Sequence, residues 1–164
     1  MSGDTVWEGR FLKVVRQGRW EYAERTGDID AAVIVAVDEG HLLLIEQERV
    51  PAGRRCLELP AGLVGDEGAA ETATDAAARE LEEETGYRAD RVEALGSFYS
   101  SPGLTSERFT LVRATGLTRV DEPEEGIVLH RVSLADVPAF IAAKRAEGLG
   151  IDAKLLLFVG VLGT

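Results

Sequence analysis

Two apolar runs, AAVIVAV at residues 31–37 and LLLI at residues 42–45, are separated by the turn sequence Asp-Glu-Gly. Short apolar runs that are rich in β-branched residues and bounded by turn residues predict buried strands. The earlier segment FLKVVRQGRWEYAER repeats this arrangement, with β-branched and aromatic residues on either side of Gln17 and Gly18. The front third of the chain is therefore predicted to consist of strands joined by hairpin turns.

A helix is predicted in the middle of the chain. A short strand around Leu57 stops at Pro60, and a glycine-rich loop follows it. The helix is expected to begin at Thr72 or Thr74, either of which is a suitable N-cap residue. It is expected to end at Gly86, because glycine adopts the left-handed conformation that closes many helices.

The elements after this helix decide the predicted fold class. Further strands are predicted at residues 91–100, 107–117 and 125–134. Ser133 and Asp136 are similar to a capping box and predict a helix over residues 134–148, and a second, largely buried helix is predicted over residues 151–163. Strands, a helix, strands and then helices predict an α+β fold, in which helices lie on the faces of a mixed sheet. The first 25 residues are expected to form a separate small antiparallel sheet.

Charge and cysteine content narrow the classes of partner. The chain has 18 basic and 29 acidic side chains, a formal charge of −11, and no basic stripe, so nucleic acid is not an expected partner. A phosphorylated substrate would require metal ions or local arginines to reverse the negative potential at its site.

Cys56 is the only cysteine, which favours a reducing cytoplasm, and it is expected to be buried in a strand. Without a signal peptide or an apolar run of about 18 residues, the expectation is a soluble cytoplasmic protein with no membrane partner.

The sequence ARELEEETGY places four glutamates within five positions of the predicted helix. Glu80, Glu83 and Glu84 fall within one arc of about 100° on the helix surface. Glu82 points to the opposite side. Such a face is either solvated, as most charge runs are, or a platform for a hard cation such as Mg²⁺, which prefers oxygen ligands. Arg79 lies four residues before Glu83 and is expected to pair with it.

The segment from Gly65 to Tyr87 resembles the Nudix box, the signature of the Nudix hydrolases. It reads Gly65, five residues, Glu71, seven residues, and then RELEEETGY. Relatives usually begin the box with the glycine that follows Pro-Ala, but here eight residues separate Gly62 from Glu71. Either Gly65 takes that place or the loop carries three extra residues.

This resemblance implies the Nudix fold, an α/β/α sandwich with a mixed sheet. It implies divalent ions, Mg²⁺ or alternatively Mn²⁺, that bridge a diphosphate and activate a water. The implied metal ligands are the side chains of Glu80, Glu83 and Glu84 and the main-chain carbonyl of Ala61. The implied catalytic roles fall to Glu83 and Arg79.

Other segments resemble one branch of this family, the ADP-ribose pyrophosphatases. They are the loop SSPGLTSER, the strand IEQERV and the segment LELPAGL. The resemblance implies substrate contacts from Arg25, Arg49, Pro102, Gly103 and Glu107, and an aromatic residue that stacks on adenine, with Trp20 and Phe11 ahead of Trp7. The loop is also interpretable as a Pro-Gly turn, and the aromatic residues as packing of a hairpin.

The acidic stretch DEPEEG, residues 121–126, lies where these enzymes carry a mobile loop with a catalytic glutamate. Aligning the strand that follows it selects Glu125, with Glu124 as the alternative, and a solvated acidic loop is the other interpretation. The family further implies a homodimer that exchanges N-terminal sheets. The expected division is residues 1–25 as the exchanged strands and residues 26–164 as the Nudix domain.

Three functions follow as hypotheses from these patterns. The first is metal-dependent hydrolysis of ADP-ribose to AMP and ribose 5-phosphate. The second is hydrolysis of another nucleotide sugar, such as GDP-mannose, whose hydrolases share the SPG loop. The third is a Nudix-fold sensor that binds its ligand without turnover. The continuation TSER after the loop favours the first hypothesis.

Overall fold

The computed structural model describes residues 3–27, 29–65 and 71–156. The strands are β1 (Asp4–Glu8), β2 (Leu12–Gln17), β3 (Trp20–Arg25), β4 (Ala31–Asp38), β5 (His41–Arg49), β6 (Arg54–Glu58), β7 (Ala61–Leu63), β8 (Tyr87–Tyr99), β9 (Arg108–Arg119), β10 (Val128–Ser133) and β11 (Gly150–Ile151). The helices are α1 (Ala73–Thr85) and α2 (Val137–Ala146), and Val50–Ala52 forms a 3₁₀ turn.

The first three strands form a small antiparallel sheet of their own in the order β1-β2-β3. Gln17 pairs with Trp20 across the turn between β2 and β3, so the predicted hairpin is confirmed. Ala23 joins this sheet to the rest of the chain: its amide donates to the Leu104 carbonyl at 3.0 Å, and its carbonyl accepts from the Ser106 amide at 3.1 Å. The loop before β9 is thereby held against the small sheet.

The second sheet has the order β11-β6-β5-β4-β9-β8, with β10 paired to β5 and β7 paired to β4. β4 runs parallel to β9 and β11 runs parallel to β6, whereas the other neighbouring strands are antiparallel. The predicted mixed sheet is therefore confirmed. Cys56 is buried in β6, as expected.

Helices cover both faces of the second sheet. Successive strand residues point to opposite faces, so a strand that is apolar throughout packs on both sides. On one face, Ala77 and Leu81 of α1 belong to a buried cluster with Ile34 of β4. On the other face, Ile141 of α2 belongs to a buried cluster with Val35. These two layers confirm the predicted sandwich.

The ends of α1 follow the sequence closely. Thr72, rather than Thr74, is the N-cap residue: its hydroxyl accepts from the Asp75 amide at 3.2 Å, and the Asp75 carboxylate accepts from the Thr72 amide at 3.1 Å. Gly86 ends the helix with φ at 71°, as predicted. This reciprocal capping fixes the register of the residues that α1 presents.

The second helix begins later than predicted. Asp136 is its N-cap residue but forms no side-chain cap bond, and the Ser133 carbonyl accepts from the Asp136 amide at 2.8 Å. The capping box predicted for Ser133 and Asp136 is therefore wrong, because a backbone turn occupies that position. The last helix is predicted over residues 151–163, and most of this range lies outside the described part of the chain. Within the part that is described, residues 153–156 are helical. No helix within the described part of the chain is long and apolar enough to cross a membrane.

Candidate functional site

The carboxylate face of α1 lies against the short strand β7. A Cβ atom placed on Gly62 would lie 1.9 Å from Cδ of Glu80, so only glycine lets this strand approach that carboxylate. Leu81 lies in the core, and Glu82 forms an ion pair with Arg88 at 2.9 Å. The helix thus divides its residues between core, site and solvent as their spacing predicts.

Arg79 holds several acidic groups of this face together. Its Nη1 lies 2.7 Å from Glu80 and 3.1 Å from Glu83, and its Nε lies 3.2 Å from Glu71. Its Nη2 donates to the Leu63 carbonyl at 3.3 Å. Burial opposes the charge of this guanidinium, but the bonds to Glu71 and Glu80 outweigh burial and raise the pKa of Arg79. The predicted contact with Glu83 is present, and two further carboxylates share the same arginine.

Gly65 and Gly62 have separate partners in this arrangement. The Gly65 amide donates to Glu71 at 2.7 Å, and Gly65 has φ at 90°, a conformation that favours glycine. This bond, followed by the bond from Arg79, lowers the pKa of Glu71 despite burial. Gly65 therefore contacts the first glutamate of the box, whereas Gly62 packs on Glu80.

Glu84 is the buried carboxylate of the group, with 7% of its surface exposed. Its oxygens accept from the Ala61 amide at 2.8 Å and from Nε2 of Gln47 at 3.5 Å. Burial raises the pKa of Glu84 to about 7, although the bond from Ala61 opposes the shift. Ala61 thus meets this helix through its amide, and the ligand role of its carbonyl stays a prediction.

The chemistry of this face suits a divalent cation. Glu80, Glu83 and Glu84 offer hard carboxylate oxygens, which Mg²⁺ and Mn²⁺ prefer. Burial raises the pKa of Glu80, and the charges of Glu83 and Glu71 add to the shift, so negative potential accumulates here. Within residues 3–27, 29–65 and 71–156, no three acidic, histidine or cysteine side chains already converge as a metal site. Arg79 instead bonds to both Glu80 and Glu83.

Arg49 forms a bidentate pair with Glu58 across β5 and β6. Nε lies 2.9 Å from Oε1 and Nη2 lies 2.6 Å from Oε2. The bond to Glu58 outweighs burial and raises the pKa of Arg49, which therefore keeps its charge. Sequence analysis did not select the buried Glu58. The available signal was a single charged residue inside the otherwise apolar run CLELP, two positions before the proline of the Pro-Ala-Gly sequence.

A cavity of about 450 Å³ joins this arginine to the residues beside α1. Its lining includes Arg25, Arg49, Glu58, Ala61, Gly62 and Glu107. Arg25 lies 2.8 Å from Glu107, and the Ser100 hydroxyl donates to Glu107 at 2.9 Å. Burial would raise the pKa of Glu107, but the bonds from Ser100 and Arg25 hold it below its ordinary value. The cavity thus brings four of the predicted site residues together: Arg25, Arg49, Ala61 and Glu107.

The other predicted substrate residues lie at the small sheet. Trp20, Pro102 and Gly103 line a second cavity of about 280 Å³ together with Tyr99. Phe11 lies at the opposite end of the β2–β3 hairpin from Trp20, is 68% exposed, and has the guanidinium of Arg10 above its ring at 4.8 Å. Trp20 and Phe11 of the same chain therefore cannot stack on the same base.

The acidic loop that contains Glu125 is anchored at the C-terminal end of α1. The amides of Val120 and Asp121 donate to the Gly86 carbonyl at 2.8 and 3.1 Å, and the Glu124 amide donates to the Glu83 carbonyl at 2.9 Å. The side chain of Glu125 is exposed. The backbone thus places this loop next to Glu83, at the exposed end of the carboxylate face.

Comparison with known proteins places these features in a family. Residues 28–153 match the model of the NUDIX domain. An uncharacterised Nudix hydrolase of Schizosaccharomyces pombe is 32% identical over 158 residues, which cover 85% of this chain and 75% of that protein. An ADP-ribose pyrophosphatase of Bacillus subtilis is 38% identical over 124 residues, which cover 75% of this chain and 65% of that protein. A crystal structure of an ADP compounds hydrolase has a TM-score of 0.70 at 24% identity, covers 87% of this chain and 81% of its own, and shows a similar fold.

Proposed function

Because this chain belongs to the Nudix hydrolase family, we propose that it hydrolyses the diphosphate bond of ADP-ribose, giving AMP and ribose 5-phosphate. The observation that carries the proposal is the cavity of about 450 Å³, which places Arg49 and Arg25 beside the carboxylate face of α1. The similarity to an ADP-ribose pyrophosphatase supports the choice of substrate. The negative charge of the chain does not oppose a diphosphate if ions and arginines reverse the field locally.

Glu80, Glu83 and Glu84, with the carbonyl of Ala61, are the residues that would hold Mg²⁺ or Mn²⁺ in this proposal. A bound divalent ion neutralises phosphate charge, makes a water more acidic and orients the leaving group. Two observations support the fit: the donors are hard oxygens, and Gly62 leaves space at Glu80 that any other side chain would fill.

The remaining residues of the proposed site bind the substrate or hold other groups in place. Arg79 positions Glu80 and Glu83 through its Nη1 atom. Arg49, oriented by Glu58, presents a planar guanidinium that matches two phosphate oxygens. Arg25 and Glu107 take the ribose or phosphate farther along the cavity, and the group formed by Trp20, Pro102 and Gly103 takes the adenine.

Glu125 is proposed as the general base, with Glu83 as its neighbour at the reaction centre. A general base must come within hydrogen-bond reach of the water that it deprotonates. The bond between the Glu124 amide and the Glu83 carbonyl holds the acidic loop at that end of α1. Glu124 is the alternative in the same loop, and replacing each by glutamine separately would distinguish them: the base is the one whose loss reduces kcat more.

A homodimer with exchanged N-terminal sheets is also proposed, with residues 1–25 as the exchanged strands and residues 26–164 as the Nudix domain. The segment that contains the small sheet exposes large apolar side chains, among them Val6, Trp7 and Phe11. Exposed apolar surface of this kind commonly marks an interaction site. Sedimentation equilibrium is expected to give twice the mass of the chain, and a monomer at micromolar concentration would contradict the proposal.

The test of the proposed function uses the purified chain with ADP-ribose and Mg²⁺, and AMP is quantified by chromatography. ADP-ribose is expected to turn over, and chelation of divalent ions by EDTA is expected to stop the reaction. GDP-mannose serves as the comparison substrate, and faster hydrolysis of GDP-mannose would contradict the assignment. Tight binding of ADP-ribose without AMP release would instead identify a sensor.

A further inference from the structure

Lys154 lines the cavity of about 450 Å³, and the proposed function gives it no role. It lies just after β11, in a segment that the sequence predicts only as a buried helix. β11 pairs with β6, and the Asp152 amide continues this pairing by donating to the Leu57 carbonyl at 3.1 Å. The C-terminal segment therefore forms part of the cavity wall, next to Glu58 and its partner Arg49.

Asp152 holds this lysine in a defined place. Its Oδ1 accepts from the Lys154 amide at 2.8 Å, and its Oδ2 lies 2.6 Å from the Lys154 ammonium. The charge of Lys154 helps to lower the pKa of Glu107, and the charge of Asp152 helps to raise the pKa of Arg49. The Lys154–Asp152 pair thus lies within electrostatic range of both other ion pairs of the cavity.

Three cations, each paired with a carboxylate, line this space. The pairs are Arg25–Glu107, Arg49–Glu58 and Lys154–Asp152. Each carboxylate offsets the repulsion that would otherwise keep the three cations apart. A lysine ammonium has three donors, and Asp152 is the one ion-pair partner of Lys154 in the described part of the chain, so donors remain for a ligand.

We propose that Lys154 is a third phosphate-binding cation of the cavity, whose ammonium contacts a non-bridging oxygen of the diphosphate, with Asp152 as its positioning residue. The inference rests on the proposed function, because it takes a nucleoside diphosphate as the ligand. It assigns to the C-terminal segment a direct part in substrate binding. A phosphate contact, rather than a sugar contact, follows from the position of the pair beside Arg49.

The test measures ADP binding by titration calorimetry in the presence of Mg²⁺, so that it does not depend on turnover. Lys154→Met and Lys154→Gln are each expected to weaken ADP binding about tenfold, the effect of losing one charge-assisted hydrogen bond. Lys154→Arg is expected to bind ADP more tightly than either. Lys154→Gln retains an amide that can donate to Asp152, so it serves if Lys154→Met does not fold, as judged by thermal unfolding.

Lys13→Met is the matched control. Lys13 is 31% exposed and pairs with Glu24 at 3.0 Å, much as Lys154 is 30% exposed and paired, but it is not part of the lining of this cavity. Its replacement is expected to leave ADP affinity unchanged.

Several outcomes would overturn the assignment of Lys154. Unchanged ADP affinity in Lys154→Met and Lys154→Gln would overturn it. Absence of ADP binding in the wild type would also overturn it. Weaker binding of ADP-ribose with normal binding of ADP would also do so, because it would identify a sugar contact. A wild type that binds ADP through Lys154 but hydrolyses no ADP-ribose would refute the proposed function and leave this inference standing.

Discussion

The carboxylate face of α1 and the cation-lined cavity beside it meet at β7, but the chain builds them in different ways. The face comes from one stretch of 14 residues, Glu71 to Glu84, in which helix periodicity determines which side chains neighbour each other. The cavity comes from distant segments: Arg25 and Glu107 are 82 positions apart, and Lys154 comes from the far end of the chain. Local spacing therefore determines the geometry of the first region, and the topology of the sheet determines that of the second.

The two regions also differ in their electrostatics. On α1, burial raises the pKa of Glu84 to about 7 and raises that of Glu80, and the charges of neighbouring carboxylates add to both shifts. In the cavity, Glu107 has its own arginine and its pKa lies below the ordinary value. The first region is thus short of positive charge, whereas the second is already balanced. This difference predicts that loss of a carboxylate matters for metal-dependent turnover on α1 and for substrate affinity in the cavity.

The largest effect is expected from Glu83→Gln. Removing this carboxylate should lower kcat by about 100-fold or more, the scale of losing a group at the reaction centre. The measurement is the steady-state rate with ADP-ribose and saturating Mg²⁺. Glu82→Gln is the matched control on the same helix, because Glu82 points away and pairs with Arg88. Near-full activity of Glu83→Gln, or equal losses in both variants, would remove the basis for the metal assignment.

Gly62→Ala tests the contact between β7 and α1. The added methyl group would displace the flexible end of Glu80, so the fold should survive while the carboxylate moves. A displaced ligand or ligand support typically reduces metal affinity by about 10–100-fold. The readouts are the Mg²⁺ concentration for half-maximal activity and the melting temperature in EDTA. A normal Mg²⁺ requirement together with a normal melting temperature would show that the close approach of Gly62 is not needed for metal binding.

Glu58→Gln tests whether Glu58 orients Arg49 for substrate binding in the cavity. Loss of the bidentate charge should free the Arg49 side chain and raise KM for ADP-ribose about tenfold, with a smaller change in kcat. The free energy of unfolding should fall by about 1–3 kcal/mol, because the buried Glu58 loses the charge-assisted bonds from a partly exposed arginine.

Glu46→Gln is the matched control for this change. Glu46 is also a poorly exposed glutamate that bonds to an arginine across β5 and β6, Arg55 at 2.8 Å, but it is not among the residues that line the cavity. It should lose stability without a change in KM. A raised KM in both variants would indicate a general effect of weakening the sheet.

Sequence-based prediction succeeds on the α1 face, which local spacing builds, and fails for parts of the cavity, which the sheet topology builds. The bounds of α1, its caps and the separation of Glu82 from the other glutamates follow from residue spacing, and the structure reproduces them. Glu58 and Lys154 escaped prediction because they reach the cavity through strand pairing with distant partners, which no local pattern encodes. The α2 capping box was wrong for a related reason: the Ser133 carbonyl accepts from the Asp136 amide, which the Ser133 hydroxyl was expected to bind.

The smallest effect concerns the acid stability that Glu107 provides. Its pKa in the folded state lies below the ordinary value of 4.5, so the folded state binds its proton less readily than the unfolded state does. The carboxylate therefore stabilises the fold at pH values above 4.5, and this stabilisation is lost as pH falls through the folded-state pKa. In urea titrations, the stability difference between the wild type and Glu107→Gln should be constant between pH 5 and 7 and should shrink below pH 4.5.

Ser100→Ala extends this test by one step. Without the hydroxyl that donates to Glu107 at 2.9 Å, the pKa of Glu107 should rise toward its ordinary value. The acid loss of stability should then begin at a higher pH than in the wild type. The shift is expected only while Glu107 is present, so Ser100→Ala should leave the acid profile of Glu107→Gln unchanged. An equal shift in the wild type and in Glu107→Gln would mean that Ser100 acts through another group. The charges of the cavity would then be less closely balanced than its ion pairs indicate.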